Sequence, residues 1–157
     1  AAEADIEVNP QREIQNILET CHYAVMATQH EGQPHASLMA FASMDGLRHL
    51  IMATYRETLK YRSLSKDGRV AILIDDRGAA GSPRPSDMVL TAHGIAVEVP
   101  GSDREAVVRA YLQRHPDLEA FLASPDCALL RVAVQAYEVV LGTDDVLWHR
   151  VEDLANT

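Results

Sequence analysis

An antiparallel β-barrel surrounded by helices is the fold class that the sequence predicts. Apolar runs of strand length follow one another with only tight-turn signals between them, at residues 30–34 (HEGQP) and at Asp45-Gly46. Such spacing is typical of hairpins. Residues 87–99 form a long apolar run with small side chains at three alternate positions, a pattern suited to a bend at a barrel corner. Hairpin connections argue against a doubly wound parallel sheet.

The first elements are a helix and three strands. Asn9 followed by Pro10 is a helix-start signal, and apolar residues then recur at helical spacing. This combination predicts a helix over residues 10–21. The three apolar runs that follow predict strands at residues 23–29, 35–43 and 47–55.

A second helix is predicted to begin inside the segment ATYRETLKYRSL, residues 53–64. Thr54 and Glu57 have the spacing of a capping box, in which a hydroxyl and a carboxylate satisfy first-turn amides. The helix is expected to end at about Lys66. The next run, RVAILID, predicts a strand at residues 69–75 that is apolar enough to be buried on both faces.

The C-terminal half repeats this order of strand, helix and strand. Ser102 and Glu105 again have capping-box spacing, and the helix that they start is expected to end at His115-Pro116. The remaining expected elements are a short helix at about residues 118–122 and strands at residues 127–141 and 146–151. The chain then contains six or seven strands and three or four helices.

Composition limits the classes of function. The chain of 157 residues has 14 basic and 23 acidic residues, a net charge of −9, and only 5% aromatic residues. These values disfavour nucleic-acid binding. Cys21 and Cys127 stand alone, without zinc-site or disulfide spacing, and we see no apolar run long enough to span a membrane. We expect a single cytoplasmic domain over residues 1–157.

Residues 48–69 reverse the charge of the chain. They hold six basic residues and only Glu57 and Asp67, a net charge of +4. If the helix begins near Tyr55, Arg56 and Lys60 share a face beside nearby threonine hydroxyls. Cations, hydroxyls and a helix N-terminus favour a phosphate monoester. The alternative is a capped helix with solvated basic side chains.

Four stretches of the chain carry a resemblance to a known family. They are GQPHASLMAF, MATYRETLKYRSLSKDGRVAILIDDR, VLTAHGIAVEV and RHPDLEAFLASPDCALLRV. Over the first helix to about Gly142, the chain resembles the split-barrel flavoproteins similar to pyridoxine 5′-phosphate oxidase. The resemblance implies a mainly β (α+β) fold, a split antiparallel barrel with peripheral helices. It also implies FMN as the cofactor, held at a homodimer interface, and a small-molecule substrate or electron donor.

The same resemblance implies the site residues. Lys60 and Thr58 match the residues that bind the FMN phosphate, with Thr54 and Arg56 beside them. The strand HASLMA matches the strand that runs past the flavin ring. The cofactor-binding residues implied are Ala36, Ser37, Leu38, Thr54, Tyr55, Arg56, Thr58, Leu59 and Lys60.

The C-terminus departs from the oxidase pattern. The oxidase has an Arg-x-His motif that holds pyridoxal phosphate, whereas this chain ends VLWHRVEDLANT. Vitamin B6 oxidation is therefore disfavoured, and an FMN-dependent oxidoreductase of unassigned substrate, with no catalytic acid or base identified, is expected. The alternatives are a haem-binding or haem-degrading split-barrel protein that uses His149, and a deazaflavin-dependent reductase. None of the seven histidines has zinc-site spacing.

Overall fold

The structure, a computed structural model, describes residues 9–77, 88–141 and 145–154. The strands are β1 (Tyr23–His30), β2 (Gln33–Ala40), β3 (Ala42–Met44), β4 (His49–Tyr55), β5 (Arg69–Asp75), β6 (Met88–Glu98), β7 (Cys127–Leu141) and β8 (Asp145–Arg150). The α-helices are α1 (Pro10–Thr20), α2 (Leu59–Lys66), α3 (Arg104–Arg114), α4 (Glu119–Ala123) and α5 (Val151–Leu154).

All of these strands belong to one antiparallel sheet. Its order is β2-β1-β5-β6-β7-β4-β3, and β8 pairs with β7 off this path. The helices lie around the sheet, as predicted. No helix in the described ranges is both long and apolar enough to cross a membrane.

Two hairpin turns depend on residues with positive φ. Glu31 and Gly32 have φ values of 50° and 82°, and they form the two-residue loop between β1 and β2. Both central residues of a type I′ turn need positive φ, which is why glycine is favoured there. Asp45 and Gly46, with φ values of 58° and 68°, start the turn between β3 and β4. The turns predicted at both positions are confirmed.

The predicted strand at residues 35–43 is two strands, and this division gives one strand more than predicted. β2 ends at Ala40 and β3 begins at Ala42. Phe41 between them is fully buried, and its N–H donates to the carbonyl of His22 at 3.2 Å. β2 thus stays beside β1, while β3 continues beside β4.

Burial on both faces is found in β4, not in β5. Ile51 and Ala53 of β4 face a cluster that contains Val107 and Tyr111 of α3, while its alternate residues face the barrel core. In β5 buried and exposed residues alternate, and Leu73 is 40% exposed. The prediction for residues 69–75 was wrong because helices cover the outer face of β4 and leave that of β5 open.

The long strand β6 bends as predicted. Its register with β7 shifts between His93 and Gly94, which is the signature of a β-bulge. A Cβ atom at Gly94 would collide with the carbonyl oxygen of Ala133 on β7. Glycine is therefore required here by the close approach of the two backbones.

The capping box predicted at Ser102 and Glu105 is absent. A 3₁₀ turn at Gly101–Asp103 leads directly into α3, and the residue at the cap position makes no side-chain capping bond. That residue, Asp103, instead pairs with Arg131 on β7 at 3.3 Å. Glu105, whose carboxylate the box would have used, lies instead 3.4 Å from Arg109 on the next turn of the helix.

Candidate functional site

The turn between β4 and α2 has a different helix start from the one predicted. The N-cap of α2 is Thr58, whose hydroxyl accepts from the N–H of Tyr61 at 3.3 Å and donates to the carbonyl of Tyr55 at 2.9 Å. The capping box predicted at Thr54 and Glu57 is wrong. β4 continues to Tyr55 through its pairing with β7, so the helix cannot begin until the chain has left the sheet.

The two threonine hydroxyls do meet. Thr54 is 2% exposed at the end of β4, and its Oγ1 lies 3.0 Å from Oγ1 of Thr58. Thr58 donates its hydroxyl hydrogen to the carbonyl of Tyr55, so the hydroxyl of Thr54 must donate to that of Thr58. The sequence prediction that these hydroxyls share one turn is confirmed.

Lys60 lies in the first turn of α2. It is the second helical residue after the cap, and its side chain is half-buried. In the described part of the chain it forms no ion pair or side-chain hydrogen bond. The first N–H groups of a helix have no intrahelical acceptor and carry the positive end of the helix dipole. An unpaired ammonium group beside them makes this turn an electropositive position.

Arg56 does not share the helix face of Lys60, in contrast to the prediction. Its guanidinium forms an ion pair with Glu98 at the end of β6, and it donates to the carbonyls of Pro125 and Cys127 at 2.8 and 3.3 Å. Because Arg56 precedes α2, its side chain reaches the residues that lead into β7. Its role as a phosphate ligand stays a prediction, and such a role requires the ion pair to open.

Glu98 is an acidic group that sequence reasoning did not place near this site. The hydroxyl of Tyr61 donates to Glu98 Oε2 at 2.8 Å. Partial burial opposes ionisation, but the hydrogen bond from Tyr61 and the Arg56 guanidinium outweigh it and lower the pKa of Glu98. The carboxylate is therefore charged and already paired. No local pattern signals this contact, since Glu98 is 42 residues from Arg56 along the chain.

Tyr55 and Leu59 flank the cap. Tyr55 is 44% exposed, and its ring meets Phe121 of α4 edge-on at 4.8 Å between centroids. Leu59 is the first residue of α2 and is half-buried. Both residues border the turn that carries Lys60, and their contact with a cofactor stays a prediction.

The predicted ring-binding segment lies on another element. Ala36, Ser37 and Leu38 are in β2, the strand at one end of the sheet. Leu38 is 72% exposed, and Ser37 Oγ lies 3.5 Å from His35 Nδ1. Among the described residues, no side-chain hydrogen bond joins this segment to the turn before α2. Their joint role in one site stays a prediction.

Metal binding has no candidate site in the described residues. No group of three or more histidine, cysteine, aspartate or glutamate side chains is arranged to hold an ion there. The two cysteines are free thiols, and burial raises the pKa of both.

The comparison with known families decides the identity of the fold. A family model described as pyridoxamine 5′-phosphate oxidase matches residues 10–141. The chain belongs to the pyridoxamine 5′-phosphate oxidase family. This match confirms the resemblance drawn from the sequence, and it covers both β2 and the turn that holds Lys60. No curated protein matches the chain.

Solved structures share the split-barrel fold. A haem-binding protein from Mycobacterium smegmatis is 22% identical with a TM-score of 0.81, and the match covers 93% of this chain. This chain spans only 60% of that protein's length. A Clostridium acetobutylicum protein of the pyridoxinephosphate oxidase family, related to general stress protein 26, is 14% identical with a TM-score of 0.72, covering 92% and 96% of the chains.

An FAD-binding protein from Mesorhizobium loti is 16% identical with a TM-score of 0.66. The match covers 82% of this chain and 90% of that one. Identities this low establish the fold alone. The split antiparallel barrel with peripheral helices is thus confirmed.

Proposed function

We propose that this family member is an FMN-binding oxidoreductase whose substrate is a small molecule. The observation that carries the proposal is the turn between β4 and α2, where the hydroxyls of Thr54 and Thr58 meet and Lys60, which has no side-chain partner in the described part of the chain, follows in the first turn of the helix. The solved structure of an FAD-binding protein with this fold supports a flavin.

The turn fits a phosphate monoester by its chemistry. A phosphate offers acceptor oxygens only, and the first turn of α2 offers backbone N–H groups that have no helical acceptor. Lys60 adds a charge-assisted hydrogen bond. Two nearby carboxylates would repel a phosphate: Arg56 neutralises Glu98, and Glu57, directly before the cap, is exposed to solvent, which screens its charge. The donor set therefore fits the phosphate end of FMN.

The chain's own residues would bind and orient the cofactor. Lys60 and the free N–H groups of the first turn would hold the phosphate. Thr58 would donate to it after its hydroxyl hydrogen turns from the carbonyl of Tyr55 to the ligand, with Thr54 keeping the 3.0 Å contact. The backbone of Ala36–Leu38 would contact the ring. When bound, FMN supplies hydride or electron transfer between a donor and an acceptor.

A homodimer is part of the proposal. On the outer face of the sheet, Val25 of β1 pairs with Leu38 of β2 on one side and with Leu73 of β5 on the other. Leu38 and Leu73 are 72% and 40% exposed. A continuous row of exposed apolar side chains is typical of a protein interface. A second copy of the chain would cover this row and the neighbouring edge strand β2.

The test begins with an absorption spectrum of the purified protein and identification of any pigment that heating releases. Bands of oxidised flavin, FMN in the supernatant and a dimer by light scattering are expected. Reduction by a nicotinamide donor, followed by reoxidation by an acceptor, is expected of an oxidoreductase. A protein that neither contains nor takes up FMN contradicts the proposal, and a flavin-loaded monomer contradicts the dimer.

Haem binding is the second candidate. It is supported by the similarity to the Mycobacterium smegmatis haem-binding protein and by His149, a half-buried side chain on β8 beside the exposed Trp148. A colourless protein that takes up haem but not FMN, and loses that uptake in His149→Ala, would favour this candidate over the flavin.

A further inference from the structure

A second polar site lies along β7, where the strand that pairs with one edge of β7 changes from β4 to β8. β4 pairs with β7 as far as Ala133, and β8 pairs with it from Ala136 onward. A β-bulge in β7 lies at the same level: His93 of β6 pairs with Ala136 and Gly94 with Val134, so Gln135 has no partner residue in the ladder. A cleft of about 600 Å³ opens here. Bulges often re-aim side chains next to functional sites.

Three side chains that donate hydrogen bonds line this cleft. Arg48 comes from the turn before β4, Gln135 from β7 and Arg150 from the end of β8. In the described part of the chain, the side chains of Arg48 and Gln135 have no hydrogen bond or ion pair. Arg150 pairs with Glu152 at 3.1 Å, but both side chains are more than two-thirds exposed, so this bond is weak and replaceable.

His93 is held in position at the wall of the cleft. Its Nε2 lies 3.0 Å from Glu138 Oε2, and its ring stacks on Trp148 with 4.9 Å between centroids and a tilt of 32°. An ionised carboxylate only accepts, so Nε2 carries the hydrogen. Nδ1 of a neutral ring only accepts, so His93 forms part of the wall and is not counted as a donor to an anion. Two contacts fix this ring although its side chain is 35% exposed.

We propose that the cleft binds a small oxyanion, a phosphate or a carboxylate, with Arg48 as the main cation. The planar guanidinium presents paired N–H donors that match two oxygens of such a group. Gln135 adds an amide donor from the bulge, and Arg150 adds a second guanidinium when it leaves Glu152, which also lines the cleft. All three donors are exposed, and Arg48 has no side-chain partner among the described residues, so its guanidinium is available to an anion in solution.

The tryptophan makes the proposal testable without a known ligand. Trp148 is the chain's only tryptophan, and it touches the ring of His93. Inorganic phosphate, and separately acetate, is added to the full chain at constant ionic strength. Tryptophan fluorescence and the amide resonances of Gln135 are followed together. A saturable change in both signals is expected with phosphate, acetate or both, and the two probes distinguish the oxyanion classes.

Three variants distinguish anion binding at the cleft from a general effect of positive charge and from binding at the turn that holds Lys60. Arg48→Gln is expected to weaken binding at least about tenfold, the loss of one charge-assisted contact. Arg109→Gln removes an equal charge from the exposed face of α3 and is expected to change binding less than twofold. Lys60→Ala is expected to leave these signals unchanged, whatever its effect on FMN.

Three results would overturn the proposal. The first is the absence of a saturable change with either anion up to tens of millimolar. The second is equal weakening by Arg48→Gln and Arg109→Gln, which would indicate charge alone. The third is loss of the signals in Lys60→Ala with full retention in Arg48→Gln, which would place the anion at the other turn.

Discussion

The turn between β4 and α2 and the cleft beside the bulge in β7 are both polar, but they are assembled differently. The turn takes Thr54, Thr58 and Lys60 from seven consecutive residues. The cleft combines side chains from four separate strands or strand ends: Arg48, His93, Gln135 and Arg150. The residues of the turn form a pattern in the sequence. The residues of the cleft come together only through the pairing register of the strands.

The largest expected effect tests whether the bulge is what shapes the cleft. Gly94→Ala places a methyl group against the carbonyl of Ala133, and backbone atoms cannot move aside cheaply. We expect a loss of about 3 kcal/mol in the free energy of unfolding, measured by urea denaturation. Gly101→Ala is the control, since nothing lies within 4 Å of its added Cβ. Equal stability of the two variants would show that the bulge tolerates a side chain.

Lys60→Ala tests the turn as a phosphate site. Loss of one charge-assisted contact is expected to weaken FMN binding by about tenfold or more, measured by flavin fluorescence titration. Lys66→Ala is the matched control because Lys66 lies in the last turn of the same helix and is exposed. If both variants bind FMN as the unmodified chain does, the phosphate lies elsewhere.

Thr58→Ala removes the cap of α2 and one hydroxyl of the turn together. We expect a loss of about 1 kcal/mol in stability and a few-fold weaker affinity for FMN. Thr58→Ser keeps the hydroxyl and is expected to restore most of both properties. Thermal unfolding and FMN titration measure them separately. Rescue of stability without rescue of FMN affinity would remove Thr58 from the phosphate site.

The smallest expected effect concerns Glu98 and pH. Its pKa is lowered in the folded chain, so its ionised form contributes stability above its unfolded pKa, and this contribution is lost as the pH falls through the folded value. The stability difference between the unmodified chain and Glu98→Gln should therefore shrink as the pH falls below about 4.5. A difference that does not vary with pH in urea titrations would show that the charge of Glu98 is irrelevant.

Sequence patterns located most elements because those patterns are local. The helix that begins at Pro10, the turns at Gly32 and Gly46, and the bend at Gly94 each follow from conformational preferences of a few residues. Capping boxes were less informative. The hydroxyl and carboxylate spacing was present at both predicted positions, but strand pairing extended β4 past Thr54, and Glu105 pairs with Arg109 instead of capping α3.

The sequence by itself determined the antiparallel hairpins, the family resemblance and the threonine and lysine residues of the turn, because neighbours along the chain are forced to be neighbours in space. Only the tertiary structure decided the order of strands in the sheet, that Glu98 neutralises Arg56, that β4 is the strand buried on both faces, and that His93 and Arg48 line one cleft. Those contacts depend on strand register and helix packing, which bring together residues that are tens of positions apart and leave no mark in local spacing.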